Sequence, residues 1–405
     1  MKRFIIVLVA CLTAFMTSCE KPVDPQEKAW QLIADSAAET AVSFYTWTED
    51  RGAWQWFEQS VSSKVKNAHG IDFNVVKLPY DQVYDLLVED KANERTVGKI
   101  DLLWLNEAEF KELQQKGLLY GPFVKKLYNY QTHYCDDDLN CIYCGDAPTD
   151  GFLVPFNVNT LNYFYDKDVV FDRLNSLESL AEFLEANPGK FTYPEPSDPI
   201  GGAFVRSVIL NFSPIKSFVK EDLDEAQLAE LIEPGMSYLQ SISKNLYAGG
   251  ETYPQTAAEM DNLFAEGKTL VTMSYDYMYG DKMSGQSIFP YGTHPLFLMK
   301  HNVNKVNYLA IPFNAANKSG AMATINTIID KELQMEKVYN RDFRGLPAYS
   351  ANILQSSLRS QLNQIIQKRT VADIGMLMEY SSHDIPEKYH AAIIAAWRDK
   401  IQPQQ

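Results

Sequence analysis

The chain has 405 residues, of which 46% are apolar and 22% charged, so it can bury a sizeable core and its length favours two or three domains. Its formal net charge of −15 argues against nucleic acid as a partner and favours neutral or cationic ligands over polyanions. The sequence contains no phosphate-binding loop, dinucleotide fingerprint, zinc-protease motif or serine-hydrolase motif. It therefore disfavours an enzyme, and we expect no catalytic residues, no cofactor and no metal ion.

The N-terminus has the build of a secretory signal and reads MKRFIIVLVACLTAFMTSC. Two positive residues precede an apolar run that is too short to span a membrane, which predicts a signal peptide over residues 1–18. The small residues before Cys19 resemble the lipobox of bacterial lipoproteins, and this resemblance implies lipidation of Cys19. Residues 19–38 are then expected to form a lipidated tether that holds an exported protein to the cell membrane, facing the periplasm or the outer surface. The alternative is an ordinary signal peptide with an incidental cysteine.

Strand-like and helix-like segments alternate after the tether. The strands are AVSFYT, IDFNVVKL and IDLLWL, and the helices that follow them are GAWQWFEQSVSSKV, YDQVYDLLVEDKA and EAEFKELQQKG. This alternation predicts βαβ units and a parallel sheet, whose ligand crevice lies at the carboxyl ends of the strands. The candidate ligand residues after the first and third strands are Trp47, Thr48, Glu49, Asp50, Asn106 and Glu107.

A cysteine-bearing loop, HYCDDDLNCIYCGD, interrupts the alternation. An exported chain occupies an oxidising compartment, so we expect one disulfide and one odd thiol among Cys135, Cys141 and Cys144. The favoured pairings are Cys141 with Cys144 or Cys135 with Cys141. A metal site formed by the three cysteines and His133 is the alternative, although zinc sites usually supply four ligands in two pairs.

A second α/β region follows the loop. It begins with the strand GFLVPFNVNTLNYFYD and continues with the helix SLESLAEFLEANPG, the strand KFTYP, the helix GGAFVRSVILNF and the strand TLVTM. Paired glycines let a backbone approach a ligand closely, and the helix behind them would offer N–H groups. Aromatic rings at strand ends suit stacking or cation–π contacts with a small ligand, or else they pack the core. The candidate ligand residues of this region are Phe156, Asn157, Gly202, Tyr275, Asp276 and Tyr277.

Three segments together resemble a known family. They are IDLLWLNEAEF with GLLYGPF, PGKFTYPEPSDPIGGAFVR, and NYLAIPFNAANKSGAMATIN with IIDKELQ. Their order and spacing are similar to those of the extracellular solute-binding proteins of ABC importers, YnjB-type subgroup, from about residue 41 to about residue 350. The chain departs from the family at Thr48, Glu49, Asp50 and Glu107, where family members carry glycine-rich turns.

The resemblance implies an α/β, two-lobe periplasmic-binding-protein-like fold of type II, with the ligand cleft between the lobes. Residues 39–154 and 305–345 would form lobe 1, and residues 155–304 and 346–405 would form lobe 2. A small ligand captured there would be handed to a membrane permease driven by a separate ATPase. The alternatives are a secreted enzyme on a similar scaffold and a surface polysaccharide-binding lipoprotein. The second alternative fits the aromatic residues but not the strand–helix alternation.

Overall fold

The computed structural model describes residues 25–134, 137–170, 174–340, 343–349 and 371–402. The predicted signal peptide, Cys19 and Cys135 lie outside the described residues, as does a helix predicted over residues 353–368. Within the ranges described, no helix is both long enough and apolar enough to cross a membrane.

Strands and helices are numbered in chain order. The strands are β1 Ala41–Thr46, β2 Asp72–Lys77, β3 Leu102–Leu105, β4 Leu119–Tyr120, β5 Tyr143–Cys144, β6 Ala147–Pro148, β7 Leu153–Thr160, β8 Asn162–Asp166, β9 Val271–Ser274, β10 Thr293–Leu296, β11 Asn302–Pro312 and β12 Ser381–Ser382. The α-helices are α1 Pro25–Ala37, α2 Arg51–Trp56, α3 Ser62–His69, α4 Tyr80–Ala92, α5 Glu107–Gln115, α6 Tyr128–His133, α7 Leu139–Ile142, α8 Leu177–Ala186, α9 Pro199–Phe212, α10 Glu225–Ser243, α11 Ala257–Ala265, α12 Tyr279–Gly285, α13 Lys318–Ile328, α14 Lys331–Tyr339, α15 Ile374–Glu379 and α16 His390–Lys400. A π-helical turn, Phe57–Val61, joins α2 to α3, and 3₁₀ turns lie at Val124–Lys126, Tyr247–Gly250 and Glu387–Tyr389.

The larger sheet has the order β12-β11-β3-β1-β2, and β4 and β7 also pair with β11. Strand β1 is parallel to β2 and β3, which confirms the βαβ alternation predicted for the first region. Strand β11 is antiparallel to β3 and β7. The carboxyl ends of β1 and β3 therefore lie side by side at one edge of this sheet.

The smaller sheet is antiparallel and has the order β10-β8-β9. The predicted strand at 190–194 is not a strand, although Phe191 and Tyr193 are fully buried. Its backbone is bound irregularly, because Tyr247 N–H donates to Phe191 O at 2.8 Å and Leu270 N–H donates to Lys190 O at 2.8 Å. The apolar side chains are thus buried and these backbone groups hydrogen-bonded without the regular pairing of a β-sheet.

Two hydrophobic cores define two lobes. In the first lobe, apolar side chains pack on both faces of the larger sheet, around residues such as Phe44 and Leu103. In the second, helices α8, α9, α10 and α16 pack against the smaller sheet, and Trp397 on α16 is fully buried. Ile374 and Leu377 on α15 belong to the core of the first lobe, whereas the sequence assigned all of residues 346–405 to the second.

Helix α1 occupies part of the predicted tether. Trp30, Ile33 and Ala37 lie on one face of it at helical spacing and pack against the core of the first lobe. This apolar stripe explains why residues 25–37 form a docked helix, where a polar spacer was expected.

Strands β7 and β11 run from one core to the other and connect the lobes, and a third segment, residues 343–349, lies beside them. Strands β7 and β11 pair side by side, with Asn157 opposite Asn307 and Asn159 opposite Lys305. The third segment runs past Leu346, whose N–H donates to Val158 O at 2.7 Å and whose carbonyl accepts from Val158 N–H at 3.3 Å. We call β7, β11 and residues 343–349 the crossing segments.

Candidate functional site

A cleft of about 1080 Å³ lies between the two lobes. The first lobe contributes the start of α2, with Asp50, Arg51 and Gln55. Asn159 on β7 and Arg344 come from the crossing segments. The second lobe contributes the start of α9, the turn after β9 and the exposed face of α12. Both lobes and the segments that join them therefore contact anything that occupies this cleft.

The crossing strands turn a polar face to the cleft and an apolar face away from it. Because side chains alternate along a strand, Asn157 and Asn159 lie on one face of β7 and Phe156 on the other. The ring of Phe156 is fully buried. Its centroid lies 5.2 Å from that of Trp104 and 5.7 Å from that of Phe57. The predicted ligand residue Phe156 thus belongs to the core of the first lobe, and its neighbour Asn157 belongs to the polar face.

Several buried polar atoms at the cleft have no hydrogen-bond partner among the described residues. They include Asn159 Oδ1, Tyr275 OH and Arg344 Nε, all on residues that line the cleft. An unpaired buried polar atom costs about 1–3 kcal/mol, and nearly all such atoms in folded proteins find a partner. The three residues that carry these atoms all line one cavity, which makes this cleft the candidate site for a bound molecule.

Tyr275 lies at the centre of this group. The Lys305 Nζ is 4.8 Å from the centroid of its ring, a cation–π contact. Burial raises the pKa of the Tyr275 phenol, and the carboxylate of Asp384 adds to this, while Arg206 acts in the opposite direction. The phenol is therefore protonated at neutral pH, so that its hydroxyl can donate one hydrogen bond and accept others.

Trp47 and Asn106 serve the local structure of the first lobe. Trp47 Nε1 donates to Glu109 Oε1 at 2.6 Å, and its ring centroid lies 5.0 Å from that of Tyr80. Asn106 caps α5, because its side chain accepts from Glu109 N–H at 3.1 Å and its own N–H donates to Glu109 Oε2 at 2.7 Å. Burial raises the pKa of Glu109, whereas these hydrogen bonds lower it.

The other residues predicted at the same strand ends are also bound locally. Thr48 Oγ1 accepts from Asp50 N–H at 3.1 Å, and the exposed Glu49 pairs with Lys77 at 2.9 Å. Glu107 pairs with Lys111 at 2.7 Å. The structure brings none of these predicted residues except Asp50 to the cleft lining.

The turn after β9 divides its three predicted residues between two environments. Tyr275 and Asp276 line the cleft. Tyr277 points elsewhere, since it is 2% exposed, packs in the core of the first lobe and donates its hydroxyl to Val338 O at 2.8 Å. This side chain of the second lobe is therefore an anchor on the first.

The paired glycines allow α9 to pack on the loop before it. A Cβ on Gly202 would lie 2.8 Å from Pro196 O, and one on Gly201 would meet Pro194 O at still closer range. The Asp198 side chain already accepts from Ile200 N–H at 2.7 Å and from Gly201 N–H at 3.2 Å. The close approach predicted from the glycines is real, but it is to the chain's own backbone, and the side chain of Ile200 is what reaches the cleft.

The cleft-lining residues that the sequence did not single out include Arg51, Asn159, Lys282 and Arg344. Asn159 could have been found, because it lies two residues after Asn157 on a predicted strand and so shares its face. Arg344 has no local signal, since it reaches the cleft only through the path of the third crossing segment.

Cys141 and Cys144 are both buried, and no disulfide joins them. The pairing of Cys135 with Cys141 stays a prediction, because Cys135 is outside the described residues. Burial raises the pKa of the Cys144 thiol, and the nearby Glu107 carboxylate raises it further, which makes this thiol unreactive. In the part of the chain that the structure describes, no group of three or more His, Cys, Asp or Glu side chains could hold a metal ion.

Comparisons with known proteins agree with this architecture. Residues 60–357 match the family model described as bacterial extracellular solute-binding protein. Protein YnjB of Escherichia coli strain K12 is 27% identical over 310 residues, which cover 76% of this chain and 79% of that protein. These matches confirm the resemblance that the sequence showed.

Solved structures with the same fold include the maltose-binding periplasmic protein MalE of Listeria monocytogenes in complex with maltose. It has a TM-score of 0.65 at 12% identity, over 90% of this chain and 92% of that one. The spermidine/putrescine ABC transporter substrate-binding protein PotD of Streptococcus pneumoniae has a TM-score of 0.57 at 11% identity, over 89% of this chain and 98% of that one. At these identities the likeness establishes the fold alone, and it confirms the predicted two-lobe periplasmic-binding-protein-like fold.

Proposed function

Because the chain belongs to the family of bacterial extracellular solute-binding proteins, we propose that it captures a small solute between its lobes and delivers it to the permease of an ABC importer. The observation that carries this proposal is the set of unpaired atoms at the cleft, namely Asn159 Oδ1, Tyr275 OH and Arg344 Nε. They come from two of the crossing segments and from the second lobe, so one solute that pairs with all of them favours the closed arrangement of the lobes. The permease, with its separate ATPase, then distinguishes loaded from empty protein by that arrangement.

Thermal unfolding of the exported protein carrying Cys19→Ser tests the capture step. The panel contains vitamins, sugars, polyamines, metal ions and organic acids. A solute at a hundred times its dissociation constant stabilises the folded protein by about 2.7 kcal/mol, which raises the melting temperature. The matched control is the same protein with Asn159→Ala and Tyr275→Phe, and it should respond less to the same solute. Equal responses from both proteins place binding outside the cleft and contradict the proposal.

Transport gives an independent readout. A strain that lacks this chain should lose uptake of the solute found by thermal unfolding, and the intact chain supplied in trans should restore it. The family and the structural neighbour MalE are described as solute-binding proteins. We therefore expect the solute to be recovered chemically unchanged after release from the purified protein. A chemically altered product would favour the secreted-enzyme alternative.

Lipidation of Cys19 would hold the first lobe close to the membrane. Helix α1 starts at Pro25 and packs on the first lobe, so six chain steps separate the lipid from folded structure. Those steps span at most about 20 Å. Cys19→Ser should release the folded protein into the soluble exported fraction. A variant that stays with the membranes after a salt wash would contradict the lipid anchor without bearing on solute capture.

A further inference from the structure

We infer that the solute is an organic anion, whose carboxylate, phosphate or sulfate group binds the cationic side chains of the cleft and whose hydroxyl or amide N–H groups bind the acceptors on its floor. This inference rests on the proposed function, because it takes the interlobe cleft as the solute site. It differs from the expectation drawn from the net charge of the whole chain.

The carboxylates of the cleft lining are already bound to the protein. Asp50 caps the helix that starts at Arg51, because its Oδ1 accepts from Gly52 N–H at 2.8 Å and from Ala53 N–H at 3.1 Å. Asp276 accepts from Met278 N–H at 2.9 Å with one oxygen and pairs with Arg344 at 3.3 Å with the other. Three of the four oxygens of these two carboxylates are therefore already bound within the protein.

The same holds for the carboxylates behind Tyr275. Asp384 binds Arg206 through two hydrogen bonds, Nε to Oδ1 at 2.7 Å and Nη2 to Oδ2 at 2.8 Å. Asp198 caps α9, as described above, and its second oxygen accepts from Ala257 N–H at 3.2 Å. The negative charge on this side of the cleft is thus neutralised or hydrogen-bonded within the second lobe and the segment that follows β12.

Two of the three cations of the cleft lining are not compensated in this way. Arg51 and Lys282 line the cleft, and neither forms an ion pair or side-chain hydrogen bond with any residue that the structure describes. Arg344 spends one nitrogen on Asp276 and leaves Nε buried without a partner in the described chain. Lys305 adds a further positive charge beside Tyr275. The lining therefore carries three cations against two occupied carboxylates.

Whether a solute interacts mainly with the cations of the cleft or with the formal net charge of −15 depends on its distance from each set of charges. Charges separated by more than about 8 Å of physiological saline are largely screened, whereas charges in contact at a protein surface interact strongly. A solute inside the cleft is within contact of Arg51, Lys282 and Arg344 and is screened from most of the acidic surface. The local cations thus determine which charge the cleft accepts.

The remaining unpaired atoms require more than a bare ion. Asn159 Oδ1 is an acceptor and the Tyr275 hydroxyl can act as one, so both are satisfied by donors on the solute. A volume of about 1080 Å³ also exceeds what an inorganic oxyanion fills, and it is in the range of clefts that enclose organic molecules. The chemistry that fits is an acid group on a hydroxyl- or amide-bearing skeleton.

Calorimetry with matched sets of compounds tests this inference. Each set holds the carbon skeleton fixed and varies only the charge, as in glucuronate, glucose and glucosamine, or lactate, propane-1,2-diol and 1-amino-2-propanol. Inorganic phosphate and sulfate are added as fragment probes. We expect measurable binding by acidic members and weaker or no binding by their neutral and cationic counterparts.

Variants of the three cations test whether the acidic compounds bind in the cleft. Arg51→Gln, Lys282→Gln and Arg344→Gln should each weaken binding of the acidic compounds about tenfold to hundredfold, the scale of a lost charged hydrogen bond. Arg51 and Lys282 are exposed, so their variants fold even where Arg344→Gln does not. Lys64→Gln, an exposed charge on α3 outside the cleft, should leave binding unchanged.

The outcomes separate this inference from the proposed function. Preferential binding of neutral or cationic members, lost in Tyr275→Ala, overturns the anion inference and leaves solute capture standing. Acidic compounds that bind equally well to the three cation variants also overturn it. If no compound of any charge binds, including the wider panel used for thermal unfolding, both the inference and solute capture in this cleft fail.

Discussion

The two faces of the crossing segments treat buried polar groups in opposite ways. On the face turned toward the core of the first lobe, Lys337 is 0% exposed, and its Nζ donates to Phe156 O at 2.6 Å, to Leu346 O at 3.1 Å and to Gln334 Oε1 at 3.1 Å. On the face turned toward the cleft, Asn159 Oδ1 and Arg344 Nε have no partner among the described residues. We call the first face saturated, because the Lys337 ammonium has three hydrogen-bond acceptors there, and the second face open, because these atoms lack partners.

This difference separates structural from functional polar groups. Burial lowers the pKa of Lys337, but three acceptors match the three N–H groups of its ammonium, and they tie two crossing segments to α14. Buried polar atoms at the cleft also need hydrogen-bond partners, yet they have none among the described residues. Selection for stability alone would favour replacing these polar groups. Stability is thus expected to depend on the saturated face and solute binding on the open one.

The largest expected effect is that of Phe156→Ala on the saturated face. The ring is fully buried against Phe57 and Trp104, so its removal should lower the free energy of unfolding by about 3–5 kcal/mol. Denaturant unfolding measures this, and Phe156→Leu should lose clearly less. A variant of unchanged stability that binds solute poorly would instead place this ring in the cleft.

Lys337→Met should have the second-largest effect on stability. The substitution removes a costly buried charge but leaves Phe156 O, Leu346 O and the Gln334 side chain without their donor, at about 1–3 kcal/mol for each unsatisfied group. The unpaired acceptors outweigh the relief, and we expect a net loss of about 2–3 kcal/mol in the free energy of unfolding. Equal stability of variant and parent would show that the ammonium costs as much as its bonds provide.

Trp47→Phe tests a residue that was predicted to bind ligand and whose indole is hydrogen-bonded within the first lobe. It removes the hydrogen bond to the ionised Glu109, and we expect a loss of about 1–2 kcal/mol in stability at neutral pH, with solute affinity unchanged. Because Nε1–H stabilises the charged form and lowers the pKa of Glu109, that pKa should rise further in the variant. The stability difference should therefore shrink as the pH falls below the pKa of Glu109. A difference that is independent of pH would assign it to ring packing alone.

Tyr275→Phe should have the smallest effect on stability and the opposite sign. The hydroxyl is buried without a partner in the described chain, so deleting it should leave the free energy of unfolding unchanged or raise it by up to about 1 kcal/mol. Affinity for the solute should fall at the same time. Destabilisation by more than about 1 kcal/mol would mean that the hydroxyl already has a structural partner, and the cleft would then have one fewer open group.

Sequence reasoning identified elements better than it identified side-chain roles. The strands β1 and β3 were predicted where they occur, because apolar periodicity is local and survives in almost any packing. Trp47 and Asn106 were placed correctly at their strand ends, yet the Trp47 indole donates to the buried Glu109 carboxylate, and the Asn106 side chain caps α5 by accepting from Glu109 N–H. The residue types at a strand end are readable from the sequence, but the direction of each side chain depends on which neighbour needs a partner.

The sequence by itself determined the strand–helix alternation and the two-lobe family resemblance. Those features depend on periodicity and segment order, which short stretches of sequence contain. Only the tertiary structure decided that Asp198, Asp276 and Asp384 are occupied while Asn159, Tyr275 and Arg344 retain unpaired atoms. Each of these carboxylates has one partner from a distant part of the chain, namely Ala257, Arg344 and Arg206 respectively, and whether a polar group is satisfied is a property of the folded neighbourhood.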